Sequence, residues 1–138
     1  MPRPDEIGAR NGKEVIWLMQ YIGVDIIEIK RIKKASQQWG ERFLRRVFTP
    51  IEISLYQGKH DSLAARFAAK EAVLKALGAC DRGISWQDIE ILAQPDGKPT
   101  VNLLGRAKEI AAELSIKELN ISLSHSDNYA VAFVVGSK

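Results

Sequence analysis

The chain has 138 residues, 46% of them hydrophobic, enough to build one core and too few for two domains. Aromatic residues make up only 7% and the formal net charge is a mild +3, a poor match for a single-stranded nucleic-acid binder that needs stacking platforms. One cysteine, Cys80, excludes an internal disulfide framework and fits a reducing, cytoplasmic setting.

Met1 to Lys13 carries two prolines, two glycines and scattered charge without a period, so residues 1–14 read as a flexible extension and 15–138 as the domain. Val15 to Ile29 is rich in β-branched residues and predicts the first strand. Its apolar run is interrupted by Gln20 and Gly23, too soon for a membrane span, and what precedes it lacks the order and cleavage pattern of a signal peptide. From Lys30 the pattern turns helical, with a second helix over Glu41 to Val47. Thr49-Pro50-Ile51-Glu52 joins a capping box to a proline at the first helical position and predicts a short helix to Tyr56. After a loop over Gln57 to Asp61, the central helix runs from Ser62 to Leu77 and stops at Gly78. Ile84 to Leu92 alternates as a strand, Pro95-Asp96-Gly97-Lys98 turns the chain, and Pro99 to Leu104 pairs back. Gly105 to Leu114 is helical, and Leu119 to Ser124 with Tyr129 to Val135 forms a closing hairpin around His125-Ser126-Asp127-Asn128. The expected class is α+β, a small antiparallel sheet packed on the long central helix.

That helix is out of the ordinary. Leu63, Phe67, Leu74 and Leu77 mark one face, while Ala65, Ala68, Ala69, Ala72 and Ala76 cover most of the other and invite close packing. A helix apolar on both sides is expected to be buried, yet this one carries Arg66, Lys70, Glu71 and Lys75, and buried charges need partners. Glu71 and Lys75, one turn apart, suit either a structural ion pair or a site. Asp25, in I-G-V-D-I-I, either points to solvent or faces a ligand past Gly23, which permits close backbone approach. An aspartate on a strand and a glutamate on a helix are suitable magnesium donors, since that ion takes one or two carboxylates and fills its shell with water and phosphate oxygens. Between Lys30 and Arg46 seven basic residues face one acid, Glu41, which is either a solvated face or a seat for an anionic partner. His125, beside Ser124 and Ser126, is placed to donate to phosphate or to cap its turn. Phosphate-binding glycine loops and nucleophile or zinc motifs are absent from the sequence.

Read together, G-V-D-I-I-E-I-K-R-I, F-T-P-I-E, R-F-A-A-K-E-A-V-L-K-A-L-G, W-Q-D-I-E-I, G-K-P and S-L-S-H resemble the short 4′-phosphopantetheinyl transferases, the holo-acyl-carrier-protein synthase type, in order from about Tyr21 to Val135. The resemblance implies transfer of 4′-phosphopantetheine from coenzyme A to a serine of an apo acyl carrier protein, as in fatty acid biosynthesis, with release of adenosine 3′,5′-bisphosphate. By position it implies Asp25 and Glu71 as ligands of Mg2+, with Mn2+ as an alternative, and Lys75 beside the coenzyme A phosphates. Arg66, Gly78 and His125 become candidates for holding coenzyme A. Glu71 and Lys75 become the catalytic pair, with Glu71 or a metal-associated water taking the serine proton. Arg31, Arg42, Phe43, Arg45 and Arg46 fall on the surface expected to receive the acidic carrier. Long members of the superfamily hold two similar halves with the site between them, and short members form homotrimers, so the resemblance implies a homotrimer with sites at subunit interfaces. Membrane and nucleic-acid partners are not expected; an RNA-binding module and a metal-dependent phosphoesterase are the rival classes. One departure stands out: Ala79-Cys80-Asp81-Arg82 separates K-A-L-G from Gly83, where the family commonly has a glycine within two residues.

Overall fold

The computed structural model describes residues 20–78 and 82–138, so the expected extension, the start of the first predicted strand and the Ala79-Cys80 departure lie outside the described residues. In chain order the elements are β1 (Gln20–Glu28), α1 (Ile29–Trp39), α2 (Glu41–Val47), α3 (Pro50–Tyr56), α4 (His60–Leu77), a 3-10 turn (Trp86–Asp88), β2 (Ile89–Ala93), β3 (Pro99–Leu103), α5 (Gly105–Glu113), β4 (Glu118–His125) and β5 (Tyr129–Ser137). Strands β1, β5 and β4 form an antiparallel sheet in that order, and β2 pairs with β3 in a second, two-stranded one.

The 18-residue α4 lies against the three-stranded sheet, and its alanines are what let it sit there. Ala65, Ala68, Ala69, Ala72 and Ala76 are all buried, facing a sheet that is itself lined with small residues at Ala130 and Ala132. Gly23 completes the fit: a Cβ built on it would stand 1.8 Å from the Ala72 carbonyl oxygen. Phe48, Leu63, Val73, Ile89, Ile91, Ile110 and Val134 are fully buried around this contact. Each such large side chain contributes about 1.5–3 kcal/mol by leaving water.

Two predicted boundaries move for identifiable reasons. Trp86 to Asp88 is not strand, because Ser85 and Asp88 cap each other's backbone and wind those residues into a 3-10 turn, so β2 starts only at Ile89. The central helix begins at His60 rather than Ser62, with Gly78 ending it in the left-handed region at φ 62 and ψ 33. The capping box at Thr49 and Glu52 is present as expected.

The buried charges resolve into a network. Lys70 is fully enclosed, and its Nζ donates to Glu52 Oε1 at 2.7 Å, to the Trp86 carbonyl at 3.1 Å and to the Ile89 carbonyl. Those are three acceptors for three ammonium protons. Burial pulls the Lys70 proton affinity down while the Glu52 charge holds it up. Glu52 also accepts from the Thr49 and Ile91 backbone amides, each at 2.8 Å, and the Thr49 hydroxyl donates to Glu90 at 2.6 Å.

The outer face of the three-stranded sheet carries Ile22, Val24, Ile26 and Phe133, all more than two-fifths exposed. Gly23→Ala is expected to cost about 2–4 kcal/mol, because the added methyl meets helix backbone that cannot rotate away. A urea midpoint equal to that of the parent would show the contact to be loose.

Candidate active site

Strand β1 inverts the usual alternation. Its apolar residues Ile22, Val24 and Ile26 point out, while Gly23, Asp25 and Ile27 face α4. Asp25 sits in register with Ala132 and is only 18% exposed, so the sheet turns it inward rather than to solvent. Opposite stands the C-terminal half of α4. Lys75 crosses to the strand, donating to the Val24 carbonyl at 2.9 Å and to Asp25 Oδ1 at 3.2 Å. Glu71, one turn earlier, is partly buried, and its proton affinity is raised first by that burial and then by the Asp25 charge, with Lys75 opposing. One lysine faces two carboxylates, leaving a net negative site.

That donor set suits a hard divalent cation. Two carboxylates from separate elements repel each other, and a cation between them would relieve the repulsion that raises Glu71. Among the described residues no group of three or more His, Cys, Asp or Glu converges, so the protein offers two carboxylates and leaves room for water and substrate oxygens.

The other candidates divide. Gly78 lies one turn beyond Lys75, its N–H donating to the Lys75 carbonyl at 3.1 Å. Arg66, in contrast, is nine residues before Lys75, half a turn round the helix axis. Its guanidinium lies 3.8 Å from the Tyr56 ring centre and donates to the Tyr56 hydroxyl at 2.9 Å, on the α3 side. His125 closes β4, exposed, with Nε2 3.9 Å from Asp61 at the opposite end of α4. Asp61 precedes Glu71 by ten residues, about 15 Å of helix. Within one chain, then, Asp25, Glu71 and Lys75 come together, Gly78 ends the same helix one turn on, and Arg66 and His125 do not join them.

The basic residues do gather. Arg31, Ala35 and Trp39 recur every four positions along α1, and α2 presents Arg42, Phe43 and Arg46. Between them opens a cleft of about 620 Å³, lined by Ala35, Trp39, Arg42, Phe43, Arg46 and Trp86, with Val47 at its base. Arg45 pairs with Glu41 at 3.2 Å, both well exposed, and Phe43 packs edge-on against Phe48 at 6.1 Å. Trp86 was read in sequence as a strand residue and its place in the cleft was missed. The local signal was the Ser85/Asp88 capping pair, which marks a turn. The Lys70–Glu52 pair was missed too, for Glu52 showed in sequence only its capping role.

For the metal-free protein the raised proton affinity of Glu71 has a defined sign. A carboxyl whose folded value lies above the ordinary 4.5 adds stability that is fully present below 4.5 and is lost as pH rises through the raised value. Glu71→Gln is therefore expected to raise the melting temperature in chelator at pH 7 and to leave it unchanged in acid. A neutral-pH melt lowered by the substitution would contradict the electrostatic picture.

Known proteins resemble this chain over most of its length. The family model for the 4′-phosphopantetheinyl transferase superfamily matches residues 21–134. A holo-acyl-carrier-protein synthase of Dehalococcoides mccartyi is 56% identical over 117 residues, covering 85% of this chain and 98% of the relative. One from Halothermothrix orenii is 41% identical over 124 residues, covering 88% and 99%. Among solved structures, the Helicobacter pylori enzyme in complex with coenzyme A superposes with a TM-score of 0.76 at 38% identity, covering 84% of this chain and 99% of that one. The Neisseria meningitidis enzyme gives 0.77 at 36% identity, covering 86% and 98%. The α+β arrangement described above is thus the arrangement of these enzymes, and the chain belongs to the 4′-phosphopantetheinyl transferase superfamily as one of its holo-acyl-carrier-protein synthases.

Proposed function

We propose that this chain transfers 4′-phosphopantetheine from coenzyme A to a serine of an apo acyl carrier protein in the cytoplasm, releasing adenosine 3′,5′-bisphosphate. The observation that carries the reading is the convergence of Asp25, Glu71 and Lys75 across the β1–α4 contact. In the reaction the serine oxygen attacks the phosphorus bearing the pantetheine, the bond to the nucleoside phosphate breaks with the bisphosphate leaving, and the hydroxyl proton passes to Glu71 or to a water beside it. Little covalent work falls to the protein; neutralising charge and aligning the groups carry the catalysis. Asp25 and Glu71 would hold Mg2+, or Mn2+ in its place, which when bound supplies Lewis-acid polarisation of the pyrophosphate. Lys75, tethered by the Val24 carbonyl, keeps its ammonium beside the site and offsets charge on the transferred phosphoryl group. Gly78, at the open end of α4, is placed for backbone contact with coenzyme A.

The carrier is read at α1 and α2, where Arg31, Arg42, Arg45 and Arg46 are exposed and Phe43 adds apolar contact. Opposite charges steer such an encounter and raise its on-rate. Arg66 and His125 complete a coenzyme A site only if another copy brings them, which supports a homotrimer with sites between subunits. The exposed apolar sheet face supports it as well: Ile22, Val24 and Ile26 pair across the strands with Val135, Phe133 and Val131 into one patch of the kind that marks an interface.

Incubation with apo acyl carrier protein, coenzyme A and Mg2+, followed by mass spectrometry of the carrier, tests the activity. One added phosphopantetheine is expected, lost in chelator and restored by Mg2+; an unmodified carrier would refute the reading. Asp25→Ala and Glu71→Ala are each expected to lower kcat/KM by about 100-fold or more with the fold retained by circular dichroism. Near-parental turnover by either would remove that carboxylate from the site. For the assembly, Phe133→Asp is expected to shift the molecular mass from three chains to one by light scattering and to abolish transfer. An unchanged mass would show that the sheet face is not the interface.

A further inference from the structure

The W-Q-D-I-E-I segment is accounted for only in part by packing and by the cleft. Its second residue, Gln87, sits in the 3-10 turn and sends its side-chain amide back to α2. Nε2 donates to the Phe48 carbonyl at 3.1 Å and to the Arg45 carbonyl. These carbonyls lie at the C-terminal end of a seven-residue helix, where the last carbonyls have no partner within the helix. A helix so short is marginal alone and holds its place only through tertiary contacts. The turn that supplies the contact is itself fixed. Trp86 stacks on Phe67 of α4 at 5.2 Å, and the Trp86 carbonyl accepts from the buried Lys70. Arg42, Phe43 and Arg46 on α2 line the cleft, and so does Trp86, the neighbour of Gln87. Gln87 thus ties α2 to the turn that carries Trp86.

We propose that Gln87 is a positioning residue for carrier docking: by binding the α2 carbonyls it sets the spacing between the basic helix and Trp86 to which an acidic carrier protein fits. The inference rests on the carrier-modifying function proposed above and adds to it a residue that touches neither substrate. It places specificity for the carrier in the walls of the cleft, apart from the Asp25–Glu71 edge.

Gln87→Met keeps the length of the side chain and removes both donors. The expected result is an apparent KM for apo carrier raised about tenfold, a loss of one to two hydrogen bonds, with kcat at saturating carrier and the KM for coenzyme A within about twofold of the parent. In an Arg42→Ala/Arg46→Ala background the same substitution is expected to add less than about twofold, since the groups it positions are gone. An unchanged carrier KM would overturn the proposal, as would full multiplication of the effects in the arginine-free background or a parallel fall of all three constants. Gln87→Ala is the second variant; if both variants fail to fold by circular dichroism, the side chain is a folding requirement and the proposal is overturned. Binding is read independently of catalysis by tryptophan emission, because Trp39 and Trp86 line the cleft. A parent protein that binds carrier but transfers nothing would end the functional reading, while weaker binding by Gln87→Met in that titration would still uphold the positioning role.

Discussion

Everything at the site depends on how closely β1 approaches α4. The missing side chain at Gly23 brings the strand against the helix backbone at Ala72, closer than any pair of side chains would allow. Asp25 is the next inward-facing residue on that strand, and Glu71 and Lys75 flank Ala72 on that helix. One steric fact therefore places the three charged groups together. The same closeness turns Val24 and Ile26 outward, so the strand gives up apolar burial within the chain to deliver its carboxylate.

The helix manages its two lysines by opposite means. Lys70 is sealed from water and matched proton by proton with acceptors, an arrangement in which removal of one partner typically costs about 3–5 kcal/mol. It holds the helix to α3, through Glu52, and to the turn at Trp86. Lys75, half exposed, pairs with Asp25 where screening by water keeps the interaction weak and exchangeable. A rigid ion pair thus anchors the helix, and a soft one occupies the edge where phosphoryl transfer is proposed.

The chain also leaves work undone. Arg66 and His125 stand away from the carboxylates, and the sheet shows solvent an apolar face larger than scattered surface residues would make. The homotrimer proposed above would account for both, covering the face and bringing Arg66 and His125 of another copy to the site. The cleft proposed for the carrier, in contrast, is lined within one chain, by α1, α2 and the turn that carries Trp86. On these proposals, recognition of the carrier and assembly of the nucleotide site would be separable.

Most elements were legible in the sequence because their signals are local: the Thr49 capping box, the Gly78 stop, the alanine repeat and the turn at Asp96-Gly97 each act within one helical turn or hairpin. The local pattern also singled out Asp25, Glu71 and Lys75 as charges in apolar company, and the ordered motifs gave them a family. Misreading Trp86 to Asp88 as strand followed from trusting alternation over a short capping pair. What the sequence by itself determined was the kind of chemistry and the elements that bear it. Only the tertiary structure decided that Lys70 is sealed in a buried ion pair while Lys75 reaches Asp25 at a half-exposed edge, that Arg66 faces away from the carboxylates, and that Gln87 binds α2. The reason is physical: those outcomes depend on which side of a helix meets which neighbour, and contacts between residues dozens of positions apart leave no periodic trace along the chain.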